Sequence, residues 1–520
     1  MIRAAGDAGL LVELEPVIDA AVNARALAIA AAVRGAALPG VRDVVPACRS
    51  VAIHLDTAAD ARALTPRIAA LADSAVATEQ GRDVEVPIVY DGVDLDAVAT
   101  RAGLSPQAVA DRHAAGEYRV FMLGFLPGFP YMGPVDAAIA APRHATPRLR
   151  VPAGSVGIAG RQTGIYPLES PGGWQIIGRT PLPMFDASRD QPATLMPGDR
   201  VRFVRDEAPR KGAPYEQAPR EGAPYSRAPL YGAPPAITVL APGLFTTIQD
   251  DGRWGYQALG VPVGGALDQR AYARANRLVG NAAGAAVIEA TILGPELRFE
   301  RRTSVAITGA DLSPTLDGRR LPINQQFECP AGAVLRFGPR LRGARAYIAV
   351  AGGIDVPMVL GSRSTHALTG LGGRPLRAGD TLTVGDAPAS AGRGAPDVED
   401  VAYGLDSPVT LRVRRGPQAA SLPADTLGIL GRSTFRLSSR SNRMGYRLEG
   451  ASLPAPPGAM ISDATFTGAL QVPPDGAPIL LMADRQTIGG YPQLAVVVAD
   501  DLPQAAQLAP GDAVRFEVCA

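Results

Sequence analysis

Short apolar runs alternate with two amphipathic stretches at the start of the chain. Leu10 to Leu14 reads as a strand, and apolar spacing from Asp19 to Arg34 predicts a helix. Pro39-Gly40 turns the chain. Val41 to Val45 and Ser50 to Leu55 read as strands, Ala58 to Asp73 as a second helix, and Val84 to Val89 as another strand. The order β-α-β-β-α-β predicts a small ferredoxin-like α/β domain, assigned to residues 1–82. Helices are expected at Asp94 to Arg101 and Ser105 to Ala115, the latter with a Ser cap and Pro in its first turn. Tyr118 to Leu123 is a strand delivering the loop Gly124 to Gly133.

The pattern then changes. From Arg150 to Pro181 Gly and Pro are too frequent for a helix, and short apolar runs between glycines predict strands joined by tight turns. Further on, Asp268 to Val279 is a helix with Asp268 as its N-cap. Ala290 to Phe299, Ser304 to Thr308, Ala333 to Phe337 and Ala346 to Ala351 read as strands. Val409 to Arg414 opens a last β unit that ends at Val518.

Two patterns recur. Arg161-Gln162-Thr163-Gly164-Ile165-Tyr166-Pro167 returns, one residue longer, as Arg485-Gln486-Thr487-Ile488-Gly489-Gly490-Tyr491-Pro492. A turn feeding an alternating strand, P-G-D-x-V-R-F, closes each copy at Pro197 to Phe203 and Pro510 to Phe516, with a weaker version at Arg377 to Val384. One β-rich domain used three times explains this, and the copies lie too far apart for a solenoid. Between the first and second β units, Asp206 to Pro235 repeats R-x-G-A-P-Y-like decapeptides, the composition of an extended, semi-rigid spacer.

At 520 residues the chain has room for three or four domains, and its net charge of +1 points to neither nucleic acid nor membrane as partner. The only lysine is Lys211, in the spacer, which excludes a Walker A, kinase-strand or Schiff-base lysine. Cys48, Cys329 and Cys519 are scattered, as reduced thiols are, and the four histidines lack metal-ligand spacing. No signal pattern opens the chain, and Asp19, Asn23 and Arg25 interrupt its longest apolar stretch. A cytoplasmic protein is the expectation.

Candidate chemistry concentrates in the Gly/Pro-rich loops. Glycine lets backbone N–H groups approach a ligand, and the hydroxyls, amides and arginines beside it can fix a small polar substrate or anion. Ordinary barrel turns explain the same residues. Phe125, Phe129 and Tyr131 form either a hydrophobic plug or an apolar wall for a small ring. Arg363, Arg440 and Arg443, in Gly-containing loops, fit bidentate anion binding or a solvated face.

Gly124-Phe125-Leu126-Pro127-Gly128-Phe129-Pro130-Tyr131, followed by the Arg150 to Pro181 stretch, resembles the B subunit of bacterial ATP-dependent 5-oxoprolinase, a family also called allophanate hydrolase subunit 1. Leu244 to Gly255, Gly361 to Thr365, Ser441 to Gly450 and the Gln486 to Pro492 loop resemble the C subunit. The pair is also similar to the carboxyltransferase part of urea carboxylase. The resemblance covers nearly the whole chain outside the spacer. It implies a mainly β protein: the small α/β domain, then three cyclophilin-like barrels at 83–205, 236–395 and 396–520, with the spacer at 206–235. It implies ATP, with Mg²⁺, activating 5-oxoproline by phosphorylation for opening to glutamate with a separate A-type subunit. On that reading Gln162, Thr163, Tyr166, Arg443, Gln486, Thr487 and Tyr491 contact substrate or phosphates beside Phe129 and Tyr131, with Asp250, Asp311 and Asp484 as metal or base candidates. No metal-ligand set is assigned. Family members often carry Lys where Gln493 stands, so that position receives no role. Two alternatives stay open. One is a carboxyltransferase component acting on urea or a similar amide; without a biotinyl lysine it would carry no covalent biotin. The other is a histidine-kinase-binding regulator. Self-association into a homo-oligomer also stays open.

Overall fold

A computed structural model describes residues 1–7, 9–56, 59–77, 81–206, 235–387, 407–456 and 460–519. The spacer, and the boundary drawn at residues 395 and 396, lie outside these.

The small domain is built from β1 (Ile2–Ala4), β2 (Gly9–Glu13), α1 (Ala20–Gly35), β3 (Val41–Pro46), β4 (Ser50–Leu55) and α2 (Ala61–Ser74). Asp19 caps α1 by accepting the N–H groups of Ala21 and Val22. Asp60, rather than a residue near Ala58, caps α2, so that helix starts later than its apolar pattern implies. The sheet order is β1-β2-β4-β3. This corrects the expected topology: the strand near Val84, β5 (Asp83–Ile88), does not return to this sheet. Its ferredoxin-like edge position, antiparallel to β2, is filled from the N-terminus by β1. Released, β5 runs parallel to β13 (Arg200–Arg205) in the next sheet.

That next sheet forms the first barrel. It follows α3 (Leu95–Ala102) and α4 (Pro106–Ala114), and runs β12-β9-β10-β7-β6-β13-β5. Here β6 is Glu117–Leu123, β7 Pro130–Gly133, β9 Ser155–Ala159, β10 Gln162–Ile165 and β12 Gln175–Arg179. A short pair of β8 (Arg148–Val151) with β11 (Ser170–Gly172) lies beside it. The third barrel is a closed ring of seven strands from Val409–Arg415 to Ala513–Val518. Its last strand pairs parallel with its first strand and antiparallel with Thr434–Leu437. In the first barrel β13 does the same with β5 and β6. The repeated P-G-D-x-V-R-F sequence thus holds one topological place twice.

The middle unit departs from this plan. It splits into a seven-stranded and a five-stranded sheet, and its weaker copy, Thr381–Val384, pairs antiparallel with Ile237–Ala241. The run Ala290 to Phe299, expected as one strand, is two, Val287–Thr291 and Glu296–Phe299; Ile292 breaks it with a φ of 62°. All three copies share one device. Asp199, Asp380 and Asp512 each accept the backbone N–H of the residue three before, at 2.9, 2.7 and 2.9 Å, closing the turn that launches the strand.

Candidate functional site at the seam of the first and third barrels

Alternation along β10 sorts the first R-Q-T copy by face. Thr163 pairs across β7 with Met132 and points into the first barrel's core. Gly164 faces the other way, where a Cβ would lie 2.9 Å from Trp174 and 3.0 Å from Phe129. Gln162, two residues from Gly164, shares that second face and is half-buried.

That face carries five aromatic rings. Phe129 packs edge-on against Phe125, Tyr131, Tyr166 and Trp174, with centroids 5.0–5.4 Å apart. Edge-to-face pairs of this kind contribute about 0.5–1.5 kcal/mol each beyond burial. Burial pushes the Tyr131 and Tyr166 hydroxyls up to about 12, so both stay protonated at neutral pH. The plug and the wall are therefore one object: Phe129 and Tyr166 are interior, and Tyr131 and Trp174 form its outer layer at 6% and 5% exposure.

The third barrel closes against this face. The same apolar cluster includes Ala464, Phe466, Leu481 and Ile488, together with Leu11, Val45 and Ala52 of the small domain. A Cβ on Gly124 would fall 2.2 Å from Ile488, so only glycine admits the second R-Q-T loop at that point. Gln486 is half-buried there and Tyr491 is 41% exposed. Thr487 is buried, with no protein partner for its hydroxyl among the described residues. Arg143 reaches the same place: its guanidinium lies 5.9 Å from the Trp174 ring and 4.0 Å from where a Gly490 Cβ would stand.

Several expected site residues are structural instead. Tyr90 donates to His113 Nδ1 at 2.8 Å, and His113 Nε2 contacts the Thr163 hydroxyl at 2.9 Å, which donates to Gly157 O at 3.1 Å. Thr163 is therefore the middle of a buried relay, not a substrate ligand. Burial holds His113 down to about 3, hence neutral. Arg443 is no anion clamp. It lies between the second and third barrels, bonding Asp484 at 2.9 and 3.0 Å, Glu289, and Gly265 O at 2.6 Å. Burial lowers its pKa, but Asp484 and Glu289 outweigh that and raise it. Asp484 is thereby committed as well. Asp250 accepts from Ser362, Ser364, Gly252 N and Arg363 N, the work of a loop clasp rather than a base. Asp311 pairs with Arg320. Among the described residues no group of three or more His, Cys, Asp or Glu side chains is placed to hold a metal ion. Gln493 is satisfied by Phe466 N, Ala464 O and Gln418.

The arginine of the second copy ties the third barrel to the middle unit and the small domain. Arg485, 1% exposed and pushed down to about 10 by burial, donates to Gln257 at 2.8 Å. Gln257 donates to Asp43 of the small domain at 3.1 Å. Further apart, a cavity of about 970 Å³ lies between the small domain, the middle unit and the third barrel. Asp311 is the one expected site residue on its wall, and facing charges there pair off as Arg42 with Asp251 and Arg270 with Asp500. The seam, not this larger space, gathers the aromatic face, Gln162 and the second R-Q-T loop.

Residues 1–195 match the family described as carboxyltransferase domain, subdomain C and D, and residues 259–518 match carboxyltransferase domain, subdomain A and B. The chain belongs to the carboxyltransferase-domain family. Within it, the second half is 37% identical over 287 residues to the C subunit of 5-oxoprolinase from Escherichia coli (strain K12), covering 54% of this chain and 91% of that one. The first half is 43% identical over 207 residues to the B subunit of 5-oxoprolinase from Escherichia coli O157:H7, covering 38% and 93%. The urea amidolyase of Lachancea kluyveri also matches, at 33% identity over 54% of this chain but 17% of that enzyme. The solved structure of TTHA0988 superposes along the whole length, with a TM-score of 0.87, 39% identity, and coverage of 99% and 100%. Two halves that elsewhere are separate 5-oxoprolinase polypeptides, B-like and then C-like, are thus fused in one carboxyltransferase-family chain. The chain is mostly β, and its closed seven-stranded third unit is consistent with the cyclophilin-like barrels expected. Cys48, Cys329 and Cys519 are free thiols, and among the described residues no helix is long and apolar enough to cross a membrane.

Proposed function

We propose that the chain is the combined B and C component of an ATP-dependent 5-oxoprolinase, working with a separate A-type subunit. The supporting observation is that each half aligns with nearly all of a 5-oxoprolinase polypeptide, and that the halves share one apolar seam. A lactam resists hydrolysis because its C–N bond is resonance-stabilised. Attack of the lactam oxygen on the γ-phosphorus of ATP, with ADP leaving and the lactam N–H proton lost, gives an O-phosphorylated imidate. Water adds to its carbon and the C–N bond breaks, the nitrogen taking up protons, which leaves a γ-glutamyl phosphate; a second water hydrolyses this to glutamate and phosphate. The chain's part is to hold the ring against Tyr131 and Trp174, orient its amide beside Gln162 or Gln486, and exclude water from the seam. Charge on the phosphoryl group would fall to arginines and loop N–H groups, since the sole lysine lies in the spacer.

Purified chain, with and without an A-type subunit, is the test. The expected result is 5-oxoproline-dependent ADP release that is full only in the complex. Rapid glutamate formation by the single chain would contradict this division of labour. The urea amidolyase match supports a second reading, carboxyl transfer to an amide. Carboxybiotin-dependent carboxylation of urea, without ADP release, would favour it.

A further inference from the structure

We propose that Arg143 recognises the carboxylate of the lactam substrate and so sets the specificity of the seam; this rests on the 5-oxoprolinase reading above. The other arginines around the seam are occupied. Arg148 pairs with Asp94, Arg150 with Glu169, Arg161 gives its Nε to Val135 O, and Arg443 and Arg485 are buried in the inter-barrel networks. Arg143 is exposed and forms no ion pair among the described residues; its contact is with the Trp174 ring.

Its backbone is fixed on both sides. Pro142 O accepts from Gln175 Nε2 at 2.9 Å, and His144 N donates to Gly173 O at 2.8 Å. The guanidinium is therefore presented from a pinned loop, between Trp174 of the first barrel and Gly490 of the third. A third observation agrees. Arg143 partly offsets the effect of burial on both Tyr131 and Tyr166, which places its charge over the aromatic face.

An apolar face with one guanidinium at its edge, carried on a pinned loop and without an ion pair among the described residues, suits a small flat ring bearing a carboxylate. A guanidinium meets a carboxylate as a bidentate fork, and its planarity lets it rest on a ring meanwhile. 5-Oxoproline has both parts. Urea has no carboxylate, and Arg143 would gain nothing from it.

The test uses the chain in complex with its A-type subunit, and measures ADP release with 5-oxoproline and with 2-pyrrolidinone, the same lactam without the carboxylate. Arg143→Gln is a surface substitution and should leave folding unchanged. It is expected to raise KM for 5-oxoproline about 10- to 100-fold, with kcat within about twofold. KM for 2-pyrrolidinone should not move, and Arg143→Lys should recover part of the loss. If Arg143→Gln alters both substrates equally, or neither, the assignment is wrong while the 5-oxoprolinase reading stands. If the wild-type complex releases no ADP with 5-oxoproline, that reading fails and this assignment fails with it.

Discussion

Thr163 and Thr487 are the same letter of the same repeated motif, and the structure gives them opposite consequences. Thr163 lies at the centre of the Tyr90–His113–Thr163–Gly157 relay. Thr163→Val keeps the shape but strands an imidazole N–H and a carbonyl, both inside the first barrel. Leaving a buried group unsatisfied costs about 1–3 kcal/mol. Thr487 is equally buried, yet no described protein group bonds its hydroxyl, so Thr487→Val removes nothing from the fold and should be neutral or slightly stabilising. Urea unfolding followed by the fluorescence of Trp174, on the aromatic face, reports the first barrel when Trp254 of the middle unit is replaced by Phe in every variant. Thr163→Val should shift the midpoint down with kcat/KM unchanged. Thr487→Val should keep its stability within about 0.5 kcal/mol of wild type. A loss of activity in Thr487→Val at unchanged stability would place that hydroxyl toward the substrate. Equal destabilisation of both variants, or a Thr163→Val that loses activity but not stability, would refute the face assignment.

His113 makes stability depend on acid. Its pKa falls from 6.5 to about 3 on folding, so the stabilisation is whole above pH 6.5 and is lost as pH falls toward 3. At 1.36 kcal/mol per unit this amounts to about 3 kcal/mol by pH 4, and a His113→Gln variant should show a flatter fall in urea midpoint between pH 7 and 4. Arg443→Met leaves Asp484 and Glu289 as uncompensated buried carboxylates and should cost about 3–5 kcal/mol; Arg443→Met/Asp484→Leu/Glu289→Gln should recover much of it in the same unfolding assay. Proteolytic cutting between Arg210 and Arg227 should leave two folded halves that co-elute in gel filtration at micromolar concentration. They are joined by the shared apolar cluster and by the bonds of Asp43 to Gln257 and Ser50 to Asp463. Separation of the halves would show that this interface is too weak.

Local chemistry was the legible part of the fold. Ser105 and Asp268 cap helices where a short acceptor precedes an apolar period, and each accepts the expected backbone N–H. The P-G-D turns were legible because their aspartate acts within four residues. What failed was non-local. Nothing in Val84 to Val89 says that it pairs with a strand more than a hundred residues away instead of with its neighbours. Ile292 interrupts a continuous β-rich run through a positive φ that its own side chain disfavours, so tertiary packing must impose it.

The candidate site was half legible for a related reason. A repeated motif reports what the two barrels have in common, and what they share is folding. The repeated Thr is buried in both copies, and Arg485 is spent on joining modules. Chemistry specific to the seam must come from where the copies differ. The first copy faces a ring cluster; the second is one residue longer, sets Ile488 against Gly124 and brings Gly490 beside Arg143. Arg143 itself belongs to no repeat and sits in the plain stretch Ala141-Pro142-Arg143-His144. Two structural facts mark it first: among the described residues it forms no ion pair while the arginines around it are bonded, and Gln175 and Gly173 pin the loop on either side. Neither is a property of the sequence near Arg143. Both arise because strands from one barrel fix a loop that a second barrel, more than three hundred residues on, then covers.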